Sequence, residues 1–297
     1  MKKAWIWILA LLLTVSCAGA EKGLTADFTP ESAEAALAEV IAGRTGLPLT
    51  LVEGAEPGKA ANLMLADPEC VLCGSQQALI FGLQGYTSAD LRQAMTPVCR
   101  VAVSPLYLVM DPGTAEAYGI RDLETLTAYI AENEYELTYA RHLGADTVDR
   151  AVVRLSNETA VLTDYFRAEE IADALRDGEA DAAVFSGQEL AESGETWLVL
   201  CCLGAERSAA YPDVPCAAEA GWTSSEGVWI ALFASSEVSA EDVSAIAAAA
   251  LAVPADALPA GYEYSPLEGE ACREAVQELF RDYKAYMTAE GLFFYEE

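Results

Sequence analysis

The sequence predicts an α/β protein of two domains, in which each domain is a parallel sheet covered by helices. Short apolar runs of β type alternate with segments of helical periodicity along most of the chain. The length of 297 residues suits two domains with their own cores, and 53% hydrophobic residues is far too apolar a composition for a disordered chain. Two long β-rich stretches interrupt the alternation, and we expect the chain to cross between the domains there.

The first domain begins with repeated strand and helix patterns. "GLTADF" (23–28) predicts a strand, and the following helix places Ala35, Leu37, Val40 and Ile41 on one face and ends at Gly46. Two further strand and helix pairs follow, and they are "LPLTLVEG" with "GKAANLML" and "ECVLCG" with "SQQALIFGLQG". Because consecutive parallel strands are joined by helical crossovers, this order favours a parallel sheet.

The two β-rich stretches divide the chain. "MTPVCRVAVSPLYLVM" (95–110) is too long for one ordinary strand and has Pro105 in its middle, and "SEGVWIALFAS" (225–235) is the second such stretch. Two crossings mean that one domain is built from both ends of the sequence. We therefore assign the first domain to residues 23–108 and 229–297, and the second to residues 109–228.

Between the crossings the alternation restarts. We expect helices at Asp122 to Glu132, at 147–155 and at 167–176. The predicted strands are "YELTYA", a strand near "TAVLT", "ADAAVFS" and "WLVLCCLG", and the predicted loop is "RHLGADT" (141–147). Helices at 239–251 and 269–287 end the chain.

The first twenty residues predict export. The apolar run from Ala4 to Leu13 is shorter than the about 20 residues that span a bilayer, so it is typical of a signal-peptide core. Ser16 and Cys17 resemble a bacterial lipoprotein cleavage site, at which the cysteine becomes the lipidated first residue. We predict a signal peptide at 1–16, a tether at 17–22 and a lipid anchor at the outer face of the cytoplasmic membrane.

Two other interpretations of this leader remain open. One is an ordinary signal peptide cut near Ala20, and the other is an uncleaved anchor. The formal net charge is -30, from 17 basic and 47 acidic residues. Such a charge repels nucleic acid and anionic lipid head groups, so we expect no nucleic-acid partner.

Cysteine usage leaves the redox state open. Beyond Cys17 an odd number of cysteines remains, and an odd set in an exported protein cannot pair entirely within one chain. "CVLC" has the spacing of a zinc or redox motif, but the chain has no second such pair and a single histidine, so we expect no metal and no cofactor. Buried thiols and one or two disulfides remain alternatives for Cys70, Cys73, Cys99, Cys201, Cys202, Cys216 and Cys272.

Three stretches carry motifs that are similar to those of one known family. "RSAAYPDVPCAAEAGW" (207–222) is similar to a signature of Arg, spacer, Pro-Asp-Val-Pro-Thr and Glu-Ala-Gly, with Cys216 where threonine is usual. "DALRDGEADAAVFSG" (173–187) is similar to a helix-to-strand turn with a Gly-x-Val-Asp core. "WIALFASSEVSAEDVSAI" (229–246) is similar to a tryptophan strand with its following loop and helix. The family is the substrate receptors of tripartite tricarboxylate transporters.

This resemblance implies a two-lobed, type II periplasmic-binding-protein fold, with a ligand cleft between the lobes and two crossing strands as the hinge. It implies a receptor that captures a small carboxylate: a di- or tricarboxylate, an aromatic acid or an acidic amino acid. Such receptors deliver the ligand to a membrane permease of one large and one small subunit. We expect a monomer that works without a cofactor.

Two loops depart from the family pattern. The first loop is usually of a Gly-Gly-x-x-Asp type and is here "TPESAEAAL", without glycine. The second is usually Gly-x-Gly-Ser or Gly-x-Gly-Thr and is here "LGADT". Members of the family hold the ligand carboxylate with these two loops. The resemblance therefore indicates the class of receptor, and it does not indicate which ligand this chain binds.

The second loop holds the strongest candidates for binding a carboxylate. A helix beginning offers free N–H groups, Gly144 lets the main chain approach closely, and Thr147 adds a hydroxyl donor. Arg141 can hold a carboxylate with two parallel hydrogen bonds, and His142 stands beside it. A surface ion pair for Arg141 and a surface position for His142 remain alternatives. Asp146 either caps the helix or meets a ligand ammonium group.

The remaining candidates lie at other beginnings of helices. In α/β sheets ligands gather at the carboxyl ends of strands, where all of these positions are predicted to fall. Side chains with hydroxyl, amide, guanidinium or aromatic groups stand at these positions. They are Thr29, Ser32, Ser75, Gln76, Phe166, Arg167 and Ser186.

An enzyme is the first rival interpretation. Cysteine nucleophilic catalysis would need a thiol beside His142 with an orienting group, and the local sequence sets up neither. The chain also has no Gly-x-Ser-x-Gly elbow, phosphate loop or paired-histidine motif, so we expect no enzyme. A solute sensor for a signalling partner and a surface module that has lost small-molecule binding remain open.

Overall fold

The structure is a computed structural model. It describes residues 23–28, 32–53, 58–67, 69–133, 137–142, 161–165, 168–221 and 227–289. The predicted signal peptide, Cys17, the tether and the helix predicted at 147–155 lie outside these ranges. So do the candidate residues Thr29, Gly144, Asp146, Thr147, Phe166 and Arg167.

Strands and helices alternate along the described chain. The strands are β1 (Gly23–Phe28), β2 (Leu49–Glu53), β3 (Cys70–Ser75), β4 (Met95–Ser104), β5 (Leu106–Met110), β6 (Thr138–His142), β7 (Val161–Tyr165), β8 (Ala182–Ser186), β9 (Leu198–Cys202), β10 (Val228–Ser235) and β11 (Glu263–Glu268). The helices are α1 (Ala33–Thr45), α2 (Lys59–Ala66), α3 (Gln76–Leu83), α4 (Leu91–Ala94), α5 (Pro112–Tyr118), α6 (Leu123–Asn133), α7 (Ala168–Arg176), α8 (Gly187–Ser193), α9 (Ala240–Leu251) and α10 (Gly269–Ala289). A short 3-10 turn occupies Ala255–Ala257.

The strands form two sheets, one in each lobe. The first lobe has the order β11-β4-β10-β3-β1-β2, and the second has the order β7-β6-β8-β5-β9. The two-lobed α/β fold is therefore confirmed, but the sheets are mixed where we expected mainly parallel ones. Strands β1, β2 and β3 run parallel, as do β6, β7 and β8, whereas β4, β5, β9, β10 and β11 pair antiparallel.

The chain crosses between the lobes at Pro105. Strand β4 ends at Ser104 in the first sheet, and β5 begins at Leu106 in the second. The change of sheet thus precedes the boundary that we predicted after residue 108. Strand β10 already pairs in the first sheet at Val228, so the return crossing lies just before it.

Helix α1 shows how the local sequence determines its ends. Ser32 accepts a hydrogen bond from the Ala35 N–H at 3.2 Å, which satisfies one of the free donors at the helix beginning. Gly46 has φ of 72°, a left-handed conformation that glycine adopts without strain, and it ends the helix as predicted. Leu37 and Ile41 are fully buried, so the predicted apolar face is confirmed.

Helices cover both faces of each sheet. In the first lobe, α1 and α9 pack on one face through Leu37 and Ile246, and α2 and α10 cover the other through Met64 and Val276. In the second lobe, α5 and α6 lie on one face and α7 on the opposite face. Two separate double-sided cores are what a chain of this length and composition can build.

One local prediction was wrong, and one strand was not predicted. Arg141 and His142 belong to strand β6 and not to a loop, because their backbone continues the pairing with β7 at Asp164 and Tyr165. Strand β11 was not predicted, since Pro266 interrupts its pattern. It is an edge strand with an irregular register between Tyr264 and Leu267, where a proline is tolerated.

Candidate functional site

The carboxyl ends of the parallel strands lie beside the crossings. Ser75 at the end of β3 pairs with Ile230, two residues into the strand that returns from the second lobe. Ser186 at the end of β8 pairs with Leu106, the first residue of the strand that leaves the first lobe. The Gly187 N–H also donates to the Pro105 carbonyl at 2.8 Å. The two edges on which ligands gather in α/β sheets therefore both adjoin the interlobe region.

Helix α3 begins at this edge with its serine uncommitted to capping. Ser75 is 9% exposed, and its side chain accepts no capping hydrogen bond from α3. The first N–H groups of α3 have no intrahelical acceptor and carry the partial positive charge of the helix dipole. Gln76 is differently engaged, because its side-chain oxygen accepts the Trp229 N–H at 3.1 Å. The beginning of α3 thus offers donors that suit an anion.

Helix α8 begins at the facing edge with its capping groups occupied. Ser186 Oγ accepts the Glu189 N–H at 3.2 Å, and Glu189 Oε2 accepts the Ser186 N–H at 2.7 Å. This reciprocal arrangement is a capping box, and it places a carboxylate at the helix beginning. Ser32 likewise serves as the cap of α1, so two of the predicted serines have structural partners.

Arg141 and His142 lie at the carboxyl end of β6. Ala140 pairs with Ala183 of β8, so both residues follow the strand towards the edge on which Ser186 stands. The backbone of both residues therefore lies at the predicted edge of the second sheet, which is formed by the carboxyl ends of its parallel strands. Their own strand pairs with β7 there. Thr29, Gly144, Asp146, Thr147, Phe166 and Arg167 lie outside the described residues.

The described interlobe region carries acidic groups from both lobes. Tyr262 precedes β11, and its hydroxyl donates to Gln188 Oε1 of the second lobe at 3.3 Å. Burial raises the pKa of Tyr262 above its usual value, and the carboxylates of Glu34 and Glu189 raise it further. Glu34 lies in the first turn of α1, and Glu189 lies in the first turn of α8. A carboxylate that enters this region needs a local cation.

Several described arginines are already paired with carboxylates elsewhere. These pairs are Arg92 with Asp90, Arg176 with Asp173, Arg207 with Glu219, Arg273 with Glu270 and Arg281 with Glu278. Arg100 is buried and donates to the backbone oxygen of Ser265 at 3.1 Å. None of these six stands at the carboxyl end of a parallel strand, whereas the backbone of Arg141 does.

The signature stretch at 207–221 forms a loop bonded to itself and to the second sheet. Arg207 Nε donates to both carboxylate oxygens of Glu219, at 2.8 and 3.1 Å. Glu219 also accepts the Cys216 N–H at 2.9 Å, and the Arg207 hydrogen bond is the main cause that lowers the pKa of Glu219 to about 2. The Tyr211 ring meets the Tyr107 ring edge-on at 5.0 Å. We call this segment the signature loop.

The cysteines are all thiols in the described chain. Each of the seven beyond Cys17 is buried and is not part of a disulfide. Burial raises the pKa of Cys73, the second cysteine of the "CVLC" motif, well above its usual value, so this thiol is not activated for nucleophilic or redox chemistry. Within the described ranges no three His, Cys, Asp or Glu side chains gather closely enough to hold a metal ion.

Two grooves on the second lobe lie apart from these strand ends. One of about 730 Å³ runs between α6 and the signature loop, and one of about 490 Å³ lies beside α5. The predicted ligand-binding residues that the structure describes do not line either groove. Across the described part of the chain, we find no helix with the length and apolarity needed to cross a bilayer.

Comparison with protein families decides the class of the molecule. The model described as "Tripartite tricarboxylate transporter family receptor" matches residues 84–258, which is more than half of the chain. The chain belongs to this receptor family. The resemblance found in the signature loop is thereby confirmed, as is the prediction that the protein is a binding receptor and not an enzyme. No curated protein sequence matches the chain.

Solved structures share the fold of this receptor at low sequence identity. A TctC solute-binding protein from Polaromonas, solved without ligand, is 17% identical with a TM-score of 0.71, and the match covers 90% of this chain and 97% of that one. A Rhodopseudomonas palustris protein with adipate is 17% identical with a TM-score of 0.64, covering 92% and 98%. MatC from the same organism, with bound malate, is 18% identical with a TM-score of 0.58, covering 89% and 97%.

Sequence reasoning missed two residues of the interlobe region. Tyr262 and Gln188 meet there, although 74 positions separate them. A local signal existed for the first of them, since Pro259 and Gly261 mark a turn that brings Tyr262 towards the second lobe. No local signal marked Gln188, which follows directly on a predicted strand.

Proposed function

We propose that this receptor binds a small dicarboxylate between its lobes and delivers it to a membrane permease of one large and one small subunit. The observation that carries the proposal is the beginning of α3, where Ser75 adjoins the crossings and its side chain makes no capping bond to the helix. The first N–H groups of a helix have no intrahelical acceptor. Membership of the transporter receptor family supports the transport role. The bound malate and adipate of the two R. palustris proteins make these dicarboxylates the first ligands to test.

Arg141 is the residue that we assign to the ligand carboxylate. The net charge of -30 repels an approaching anion, and screening over about 8 Å at physiological salt leaves the capture to nearby charges. The acidic Glu34 and Glu189 increase the need for such a charge. An arginine at the carboxyl end of β6 can bind a carboxylate through two parallel hydrogen bonds. His142, Thr147 and Arg167 remain predicted contacts of the same site.

The binding test is a thermal-shift screen followed by calorimetric titration. Malate, adipate, citrate, benzoate and aspartate are each added to the purified protein. A ligand at 100 times its Kd should stabilise the fold by about 2.7 kcal/mol, which raises the melting temperature measurably. We expect a dicarboxylate to bind, and the absence of any carboxylate ligand would contradict the proposal. Binding of aspartate would give Asp146 a ligand ammonium group to meet.

Arg141→Ala tests the assigned cation. We expect it to weaken dicarboxylate binding at least about tenfold, because an interaction with a charged group contributes about 1.5 to 3 kcal/mol. Arg92→Ala is the matched control, since it removes an exposed arginine of the first lobe that pairs with Asp90. An unchanged Kd for Arg141→Ala, measured by titration, would remove Arg141 from the site.

We also propose that the protein is exported and attached by lipid through Cys17. The leader pattern supports this location, and a receptor must meet its ligand and permease outside the cytoplasm. Cys17→Ser should abolish the incorporation of radiolabelled palmitate into the protein, because the lipid thioether cannot form without the cysteine sulfur. Incorporation of the label into the variant, or none into the wild type, would contradict lipid attachment at Cys17.

A further inference from the structure

The two lobes touch directly along a seam beside the crossings. We define the seam as residues 104–107, 187–188, 208 and 261–263. At its centre the backbones of Gly187 and Gly261 are so close that a Cβ on Gly261 would lie 2.1 Å from the Gly187 oxygen. Gly261 also has φ of 76°, which disfavours any other residue there. The segment before β11 therefore joins the lobes at a third place, in addition to the two crossings.

Hydrogen bonds extend the seam on both sides of the glycine contact. The Gln188 N–H donates to Ser104 Oγ at 2.9 Å, and the Tyr262 hydroxyl donates to the Gln188 side-chain oxygen. Ser104 is fully buried. Ser104 and Tyr262 belong to the first lobe, and Gln188 belongs to the second, so each of these bonds would stretch if the lobes moved apart at the seam.

A chain of hydroxyl groups ends on a carboxylate at the other side of the seam. The Tyr107 hydroxyl of β5 donates to Ser208 Oγ at 2.5 Å, and the Ser208 hydroxyl donates to Glu263 Oε1 at 2.6 Å. Ser208 Oγ also accepts the Ala210 N–H at 3.1 Å. Tyr107 is 1% exposed and Ser208 is 3% exposed. Glu263 is the first residue of β11 in the first lobe, so this series of hydrogen bonds links the two sheets.

Glu263 is the final acceptor in this series of hydrogen bonds, because each hydroxyl donates towards its carboxylate. Each hydroxyl donates once towards the carboxylate, and a hydrogen bond to an ionised acceptor is about twice as strong as a neutral one. Without Glu263 the buried Ser208 hydroxyl would lose its acceptor, and an unsatisfied buried polar group is costly. Lobe separation at this point would have the same effect. The contact therefore favours the arrangement of the lobes seen here.

We propose that Glu263, through Ser208, is an interlobe tie that fixes the resting arrangement of the lobes and thereby sets ligand affinity without contacting the ligand. Glu263 is in this sense a positioning residue. The effect on affinity rests on the proposed binding function, while the effect on lobe arrangement does not. A tie that stabilises one arrangement changes the fraction of protein that is ready to bind, and the apparent Kd changes with that fraction.

The first arm of the test uses the protein without ligand. Small-angle X-ray scattering compares the wild type with Glu263→Ala, Ser208→Ala and Glu263→Gln. We expect the two alanine variants to change the distribution of distances within the molecule in the same direction. Glu263→Gln keeps an acceptor oxygen and should change this distribution less. Glu268→Ala is the matched control, because it removes an exposed glutamate of the same strand. If both alanine variants scattered as the wild type does, the proposal of an interlobe tie would be overturned.

Hydrogen exchange separates a loosened seam from a merely local loss. The Gln188 N–H lies in the seam but bonds to Ser104 and not to Glu263. We expect Glu263→Ala to accelerate exchange in peptides that contain Gln188 by at least about tenfold. Acceleration confined to peptides around Ala210 would mean that only the local bond is lost, and would contradict the proposal. If Glu263→Ala does not fold, the same comparison is made with Glu263→Gln, for which a smaller acceleration is expected.

The second arm adds ligand. Because the tie does not contact the ligand, Glu263→Ala should change the Kd values of malate and adipate by the same factor. Unequal factors would place Glu263 in the binding site, and unchanged values would show that lobe arrangement does not set affinity; either result overturns the second half of the proposal. If no carboxylate binds the wild type, the binding function fails, while the ligand-free measurements still decide whether the tie exists.

Discussion

The signature loop and the beginning of α3 use their polar groups in opposite ways. In the signature loop, Arg207 and Glu219 bond to each other and to the loop backbone, and Tyr211 packs on Tyr107. At α3 the Ser75 side chain makes no capping bond to the helix that it begins. The stretch that identifies the family thus braces the second lobe, while the groups suited to an anion stand at helix beginnings without a motif of their own.

The largest expected effect concerns the packing of the signature loop. Tyr211→Ala should lower the free energy of unfolding by about 2 kcal/mol, since it removes an edge-on aromatic contact and the apolar surface of a partly buried ring. Urea unfolding measures the loss. Tyr86→Ala is the control, because that ring is 52% exposed and should cost far less. If Tyr211→Ala weakened ligand binding and left stability unchanged, the loop would be part of the site and the comparison would fail.

A pair of serines at helix beginnings gives the next effect. Ser32→Ala should cost about 1 kcal/mol of stability, because Ser32 caps α1 through the Ala35 N–H. Ser75→Ala should change stability by less than about 0.5 kcal/mol, since no capping bond is lost. The same variant should weaken dicarboxylate binding several-fold, because a single hydrogen bond contributes about 0.5 to 1.5 kcal/mol. Thermal unfolding measures the stability of both variants, and calorimetric titration measures their ligand affinity. If Ser75→Ala were less stable than Ser32→Ala, Ser75 would be the structural serine and the assignment would be wrong.

The smallest effect is a pH dependence of the signature loop. The pKa of Glu219 falls from an ordinary 4.5 to about 2, chiefly through its hydrogen bond with Arg207. A lowered folded-state pKa means that the stabilisation is complete above about pH 4.5 and is lost as the pH falls towards 2. Glu219→Gln should therefore flatten the acid limb of the stability curve in that window. The group is on the surface, so identical wild-type and variant curves would show that solvent screens the pair completely.

The elements that depend on local pattern were predictable from the sequence. Ser32 and Gly46 bound α1 because a cap and a left-handed residue act on the nearest turn. The alternation of strands and helices similarly indicated an α/β fold, and the length of the β-rich stretch at 95–110 indicated a crossing between the lobes. The signature loop identified the family through a short run of residues. In each case the physical cause lies within a few residues of its effect.

The candidate site was predictable in its location and only partly in its residues. The carboxyl ends of β3 and β8 do adjoin the crossings, which follows from strand order alone. Whether a serine at such an end caps its helix depends on side-chain geometry, so Ser32, Ser75 and Ser186 look alike in sequence and differ in the structure. Arg141 was assigned to a loop because the length of its strand depends on pairing with β7.

The sequence by itself determined the two-lobed α/β class, the boundaries of α1 and the receptor family, because periodicity, caps and motifs act over short distances. Only the tertiary structure decided that the sheets are mixed, that β11 forms an edge strand and that Glu263 meets Ser208 across the lobes. Register and interlobe contacts join residues far apart in the chain, such as Ser208 and Glu263, which are 55 positions apart. Contacts of that separation depend on how whole sheets pack, and no local pattern encodes them.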